Sequence, residues 1–237
     1  MSENLSVPTN QLLSALPLEE YQRILPHLED ISFPLGKVLY EPGKSITEVY
    51  FPNEAMLSLV SVMTDGSTTE VGLVGNEGMI GLPVILGGGY SISQVIVQVQ
   101  GTAKKLSAEL LKREFFRGGK LQKLLLLYTQ ARLSQISLIA ACKSHHTVEQ
   151  RFARWLLTVN DCITKDELPL TQKFISQMLG VRRASVTEAA LVLQKLKIIS
   201  YNRGHIKIIE RKKLEETACE CYSSIKQEFT RLLENNQ

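Results

Sequence analysis

The sequence predicts an α+β chain: an N-terminal antiparallel β-roll of the jelly-roll kind, then a long helix, then a C-terminal winged helix-turn-helix. Three observations carry this. Residues 31–105 hold short apolar runs separated by Gly and Pro at near-even spacing, the signature of an antiparallel barrel or sandwich. Residues 119–143 keep an apolar spacing of three and four without a breaker. Residues 168–209 place a helix, a glycine turn, a second helix and a hairpin in succession.

Taken in order, Asn10 to Leu16 and Leu18 to Leu28 read as two short helices broken at Pro17. The β-rich runs are Val38 to Tyr40, Val49 to Phe51, Met56 to Val60, Thr69 to Val74 and Gln94 to Val99. Gly36, Pro42-Gly43, Pro52-Asn53, Asp65-Gly66, Gly75-Asn76, Gly78 and Gly87-Gly88-Gly89 punctuate them. Gln94 to Gln100 alternates, so one of its faces is buried. A short helix follows from Ser107 to Phe116, then the long one from about Gly119 to Lys143.

That long helix carries two stripes. Leu124, Leu127, Ala131, Ser134, Leu138 and Ala141 suit a partner helix in a homodimer, and Leu121, Leu125, Tyr128, Arg132, Gln135, Ile139 and Cys142 suit the flank of the roll. Val148 to Val159 is amphipathic, with Phe152, Trp155 and Leu156 inward and Arg151 and Arg154 outward. Asn160 to Glu167 reads as a linker, and Lys213 to Leu233 as one last helix. The domains expected are a roll over 1–117, a dimerisation helix over 118–145 and a winged helix with an extra C-terminal helix over 146–237.

The stretch from 168 is the most informative. Thr171 can cap a helix whose apolar face is Ile175, Met178 and Leu179. Gly180 ends that helix, since the residue just past a helix often takes positive φ. The second helix is buried through Val186, Ala189, Ala190 and Leu193 and shows Arg182, Arg183, Ser185, Thr187 and Glu188 outward, side chains able to reach base edges and phosphates. Ile198 to Tyr201, Asn202-Arg203-Gly204 and His205 to Ile209 then make a hairpin wing.

Charge supports a polyanionic partner. The chain of 237 residues has a net charge of only +3, but residues 171–213 hold 10 basic against 2 acidic side chains, and residues 1–117 hold 8 against 13. A winged helix that binds protein instead would not need that concentration of positive charge. Hydrophobic content of 44% and charged content of 22% indicate a globular chain. No apolar run approaches a membrane span and no signal pattern opens the chain, so a cytoplasmic protein without a membrane partner is expected.

The four cysteines, Cys142, Cys162, Cys219 and Cys221, have no framework spacing and read as reduced thiols. Cys219 and Cys221 lie two apart in the last helix and should face different directions, and no Cys precedes 142 to hold an N-terminal iron–sulfur cluster. His145 and His146 are adjacent, so their rings diverge on a helix. No metal and no cofactor are therefore expected. Paired carboxylates, a Ser-His-Asp set and a phosphate loop are also missing from the sequence: no Lys-Ser/Thr follows Gly87-Gly88-Gly89. An enzyme is not expected.

In this order the elements resemble the Crp/Fnr transcription regulators, over nearly the whole chain. The landmarks are Gly36 to Gly43 (GKVLYEPG), Val49 to Pro52, Glu70 to Pro83 (EVGLVGNEGMIGLP), His146 to Leu157 (HTVEQRFARWLL) and the helix-turn-helix. The resemblance implies a cyclic-nucleotide-binding-like roll and a sequence-specific homodimer on a palindromic double-stranded DNA operator, with RNA polymerase as a candidate further partner. It implies that Thr171, Gln172 and Lys173 touch phosphates, that Arg183, Ser185, Thr187 and Glu188 face bases, and that Arg203 and His205 reach the backbone or minor groove. Two departures leave the operator sequence open: Ala184 stands where relatives place an acidic residue, and no arginine stands near Glu188.

The effector site departs further. Cyclic-nucleotide-binding members hold the ribose with a Glu and the phosphate with an Arg. Here Leu82 stands at the Glu position and Ser91 at the Arg position, and no Lys or Arg occurs from 45 to 103, a span with Glu48, Glu54, Asp65, Glu70 and Glu77. Gly81, Leu82, Ser91, Ser93 and Ser137 could line a pocket for a small neutral effector of unknown identity. The expectation is a regulator not controlled by cAMP, its roll serving chiefly as a structural support for the dimer.

Overall fold

The structure is a computed structural model that describes residues 8–162 and 167–234. It contains two compact units, one of residues 1–59, 73–130 and 233–237, the other of residues 60–72 and 131–232. The long helix is no separate piece, and the tip of one hairpin groups with the C-terminal unit.

The first unit opens with α1 (Gln11–Ser14) and α2 (Leu18–Ile24). The Asn10 side chain caps α1 by accepting from the Leu13 amide at 3.2 Å, and donates to the carbonyls of Pro52 and Gly78 at 2.9 and 2.8 Å. A fully buried amide thus satisfies both its own helix and two turns of the roll. The roll comprises β1 (Glu29–Phe33), β2 (Val38–Tyr40), β3 (Glu48–Pro52), β4 (Met56–Val62), β5 (Thr68–Val74), β6 (Gln94–Val99) and β7 (Gly101–Ser107). Its two sheets have the orders β1-β7-β3 and β2-β6-β4-β5. β1 and β7 extend the strands expected from the apolar runs; β7 is hidden in the sequence by Lys104 and Lys105, which pair with Asp30, Glu29 and Glu48. The core is Phe33, Phe51, Leu57, Val97, Leu106 and Leu111, with Phe33 edge-on to Tyr50 at 5.3 Å.

Ser107 caps α3 (Ala108–Phe116), its hydroxyl accepting from the Leu110 amide. Next comes α4 (Gly119–His145). Gly118 and Gly119 both have positive φ, and the Glu20 carboxylate accepts from the amides of Lys120 and Leu121 at 2.9 and 2.8 Å. A negative charge from α2 therefore closes the positive end of α4.

The stripe expected on the intramolecular side of α4 is buried throughout, from Leu121 to Cys142. The stripe expected to face a partner is displaced. Leu124 and Ala131 are already buried within the chain, and the Ser134 hydroxyl donates to Glu228 at 3.2 Å. The exposed apolar residues are Leu126 (50%), Leu133 (62%) and Ile136 (43%), with Ala140 one heptad beyond Leu133. Two stripes of similar spacing lie a small rotation apart, so spacing alone could not choose between them. An 18-residue window of α4 reaches a mean hydropathy of 1.2 and passes for a span by length and composition alone. Its buried Arg132 and Gln135, hydrogen-bonded to each other, mark the side of a core helix.

In the second unit, α5 (Val148–Cys162) runs through the start of the expected linker, whose residues 163–166 lie outside those described. β8 (Glu167–Pro169), read in sequence as linker, pairs with the wing. Then come α6 (Gln172–Leu179), α7 (Arg183–Lys195), β9 (Ile199–Asn202) and β10 (His205–Ile208), the last three strands forming a sheet in the order β8-β10-β9. The last helix is not continuous. It divides into α8 (Arg211–Thr217) and α9 (Cys221–Phe229), because Ala218 takes extended angles (φ −66°, ψ 151°). Thr230–Glu234 ends as a π turn.

Replacing Glu20 with Ala is expected to leave two amides of α4 without their cap and to cost about 1–2 kcal/mol. Urea unfolding of the two proteins would check this; an unchanged midpoint would mean that solvent satisfies those amides equally well.

Candidate nucleic-acid interface

α6 and α7 form the helix-turn-helix that the sequence predicts. The Thr171 hydroxyl accepts from the Phe174 amide at 3.2 Å, and Gly180 has φ 63° at the turn. A Cβ on Gly180 would meet the Thr69 side chain at 3.1 Å, so glycine serves both the backbone angle and the close approach of residues 66–69. A cleft of about 510 Å³ between Gly66–Thr69 and the α6–α7 turn marks this junction. Val186, Ala189, Ala190 and Leu193 are buried.

Three of the expected site residues are tied together. The Gln172 carbonyl oxygen accepts from Arg183 Nε at 3.4 Å and from the Thr187 hydroxyl at 3.1 Å. The start of α6 thereby aims the side chain that opens α7. Lys173, Arg182 and Glu188 are exposed, and Ser185 is half-buried beside them. Arg182 occupies the N-cap position of α7 without a side-chain cap bond, which leaves its guanidinium turned outward. The wing turns on Arg203 and Gly204, both with positive φ (46° and 83°), the angles of a two-residue hairpin turn. A Cβ on Gly204 would touch the Thr171 methyl at 3.4 Å, so the wing tip lies beside the N-terminus of α6. His205 is exposed but faces the Glu167 carboxylate at 3.4 Å. Tyr201 donates to the Leu170 carbonyl at 2.9 Å, and burial raises its hydroxyl above the usual range.

Two arginines read as outward are buried. Arg151 donates to the Leu179 carbonyl, placing a cation at the C-terminus of α6, and burial draws its guanidinium below its usual range. Arg154 is buried as well. The partner at the face of Arg151 is a helix end rather than water. Trp155 is buried as its helical position predicts, but its partner was not read from the sequence: Trp155 Nε1 donates to the buried Glu70 carboxylate at 3.0 Å, and its ring lies 6.1 Å from Phe174. Lys143 donates to the Glu70 carbonyl at 3.2 Å, its ammonium drawn down by burial and by nearby Arg151. Only an acidic residue standing in a hydrophobic strand hinted at this tie. Arg211, counted among the basic residues, is spent internally on Asn160, Asp161, Glu215 and Tyr222. The exposed cations on α6, the start of α7 and the wing are Lys173, Arg182, Arg183, Arg203 and Lys207; Lys195, Lys197, Lys212 and Lys213 are exposed as well.

Of the residues considered for an effector pocket, Ser91 and Ser93 are buried, and the Ser91 hydroxyl donates to the Ser93 carbonyl at 2.6 Å. Gly81 has φ 119°, and a Cβ there would run into Val49. Leu82 is half-buried, and Ser137 is an exposed residue of the other unit. Glu48 is held below the usual carboxylate range by the hydrogen bond from Lys105.

Two family models match the chain in tandem: a cyclic nucleotide-binding domain over residues 30–117 and a Crp-like helix-turn-helix domain over residues 150–217. FixK2 from Bradyrhizobium japonicum superposes with a TM-score of 0.70 at 15% identity, over 81% of this chain and 98% of that one. A transcriptional regulator of the Crp/Fnr family from Eubacterium rectale gives 0.70 at 17% identity, over 87% and 96%. The c-di-GMP responsive regulator CLP of Xanthomonas campestris gives 0.66 at 14%, over 81% and 99%. No curated protein matches the chain in sequence. A roll of this type followed by a winged helix-turn-helix defines a DNA-binding transcription regulator. The chain belongs to the Crp/Fnr family.

Proposed function

We propose that the chain acts in the cytoplasm as a homodimer, without catalysis, placing one α7 from each copy in successive major grooves of a two-fold symmetric operator. The observation that carries this reading is the set of outward cations, Lys173, Arg182, Arg183, Arg203 and Lys207, on α6, α7 and the wing. Half-sites lie about 34 Å apart, one helical turn. In this reading Thr171, Gln172 and Lys173 approach phosphates, with the free amides of α6 pointing at them. Arg183, Ser185, Thr187 and Glu188 face bases, and Arg182, Arg203 and His205 flank them. The pairing of Gln172 with Arg183 and Thr187 supports one refinement. Gln172 holds the reading side chains in position before DNA arrives, which lowers the ordering cost of binding.

The exposed stripe Leu126, Leu133, Ile136 and Ala140 supports the dimer, since two copies of α4 would remove it from water together. Independence from cAMP rests on charge. Residues 45–103 contain five carboxylates and no Lys or Arg, Leu82 replaces the ribose-binding acid, and the Ser91 hydroxyl is already bonded to Ser93. A cyclic phosphate there would lose its hydration without a guanidinium to replace it.

Three outcomes are expected. Arg183→Ala should weaken binding to the best selected site by about 1–3 kcal/mol and relax base preference, whereas Lys173→Ala should weaken all sequences alike and lower the salt slope by about one. Gel shifts across a salt series separate the two effects, and unchanged affinity in both would remove α7 from the DNA. Leu133→Asp should yield monomers by sedimentation, because a carboxylate in a dimer seam is buried unpaired; an intact dimer would move the seam elsewhere. Calorimetry with cAMP and cGMP should show no micromolar binding, and saturable heat from either would refute the charge argument.

A further inference from the structure

Three thiols and an imidazole converge in the second unit. Cys142 lies in the last turn of α4, His146 one turn later, Cys219 in the break between α8 and α9, and Cys221 at the first position of α9. Their ligand atoms all lie within 4.8 Å of one another. Cys142 Sγ is 3.5 Å from Cys219 Sγ, and Cys221 Sγ is 3.7 Å from His146 Nδ1. The three cysteines are buried. The sequence hid this set. A continuous last helix would have splayed Cys219 and Cys221, and it is the extended Ala218 that turns both toward Cys142.

We propose that Cys142, His146, Cys219 and Cys221 bind one tetrahedral thiophilic divalent cation, of which zinc is the type, as a closed structural site. The spacing fits a single ion. Bonds of about 2.3 Å to sulfur and 2.0–2.1 Å to nitrogen give tetrahedral edges of about 3.8 Å between sulfurs and 3.5 Å between sulfur and nitrogen. A disulfide would need the sulfurs at roughly 2.05 Å and would leave a third thiol and the imidazole unused. An iron–sulfur cluster, with several irons between its ligands, would hold the four side chains further apart than they stand.

Two features around the site favour the ion. His146 Nε2 lies 3.1 Å from Glu220 Oε1 and 3.0 Å from Oε2, so it donates to the carboxylate and leaves Nδ1 as a lone pair aimed at the thiols. That carboxylate–histidine arrangement orients metal-binding imidazoles generally. The second is charge. Binding releases three thiol protons to solvent, and one dication with three thiolates carries a net −1. The buried Arg154 acts electrostatically on both Cys142 and Cys219, and its Nε has no hydrogen-bond partner among the described residues. It supplies the balancing cation. The sequence between Cys142 and Cys219 holds α5, the helix-turn-helix, the wing and α8, so the ion would clasp the two ends of the DNA-binding segment.

The test uses the full chain, purified anaerobically under reducing conditions without added chelator. Elemental analysis should find about one zinc per chain. Cobalt(II) exchanged into the protein should give the intense visible bands of a tetrahedral thiolate site. Cys162→Ser, outside the cluster, should retain both signals. His146→Cys should keep the tetrahedral spectrum with a fourth thiolate, and Glu220→Gln should lower affinity about 10–100-fold in competition with a chromophoric chelator. Chelation should lower the thermal midpoint of wild type but not of a Cys142→Ser, Cys219→Ser double variant. The proposal is overturned by protein that holds no metal and gives no tetrahedral cobalt spectrum, by iron with acid-labile sulfide, or by a Cys142–Cys219 disulfide formed under these conditions.

Discussion

The outward face of α7 is aimed only as well as its inward face is held. Val186 and Leu193 have no exposure at all, and α6 before them ends at Leu179, a buried residue whose carbonyl, as a helix-end acceptor, calls for a donor. Arg151 fills that need from α5. A buried guanidinium is costly to desolvate, and its donation to a helix-end carbonyl offsets part of that cost. With that bond in place α5, α6 and α7 act as one support, and the side chains of Gln172, Arg183 and Thr187 can be arranged on it in advance.

The same unit recruits part of the roll's own hairpin. Glu70 receives Trp155, Lys143 donates to the Glu70 carbonyl, and Thr69 lies against Gly180. Residues 60–72 are thus bound by buried polar contacts rather than by apolar area alone. Such contacts have defined geometry, and a change in the hairpin would be felt by the turn between α6 and α7.

The roll matches a cyclic nucleotide-binding domain model over residues 30–117. Its acidic residues are managed locally: Glu48 is paired with Lys105 and Tyr50, while Lys104 meets Asp30. The polar groups that could greet a ligand are partly committed to each other, as in the Ser91–Ser93 bond. Gly81 packs so closely against Val49 that no side chain could be added there.

The sequence by itself determined the order of elements, the helix-turn-helix with its Thr171 cap and Gly180 turn, the wing and the basic face. All of these follow from local rules: periodicity, capping, positive φ and charge count act within a few residues of one another. Tertiary structure decided what those rules cannot reach. It rotated the exposed stripe of α4 to Leu126, Leu133 and Ile136, because burial depends on what packs against a helix and not on spacing. It drew Arg151 and Arg154 inward, because a distant helix end and a group of thiols lay at their face. It broke the last helix at Ala218 and so gathered cysteines that are 77 positions apart in sequence, a convergence no local pattern announces.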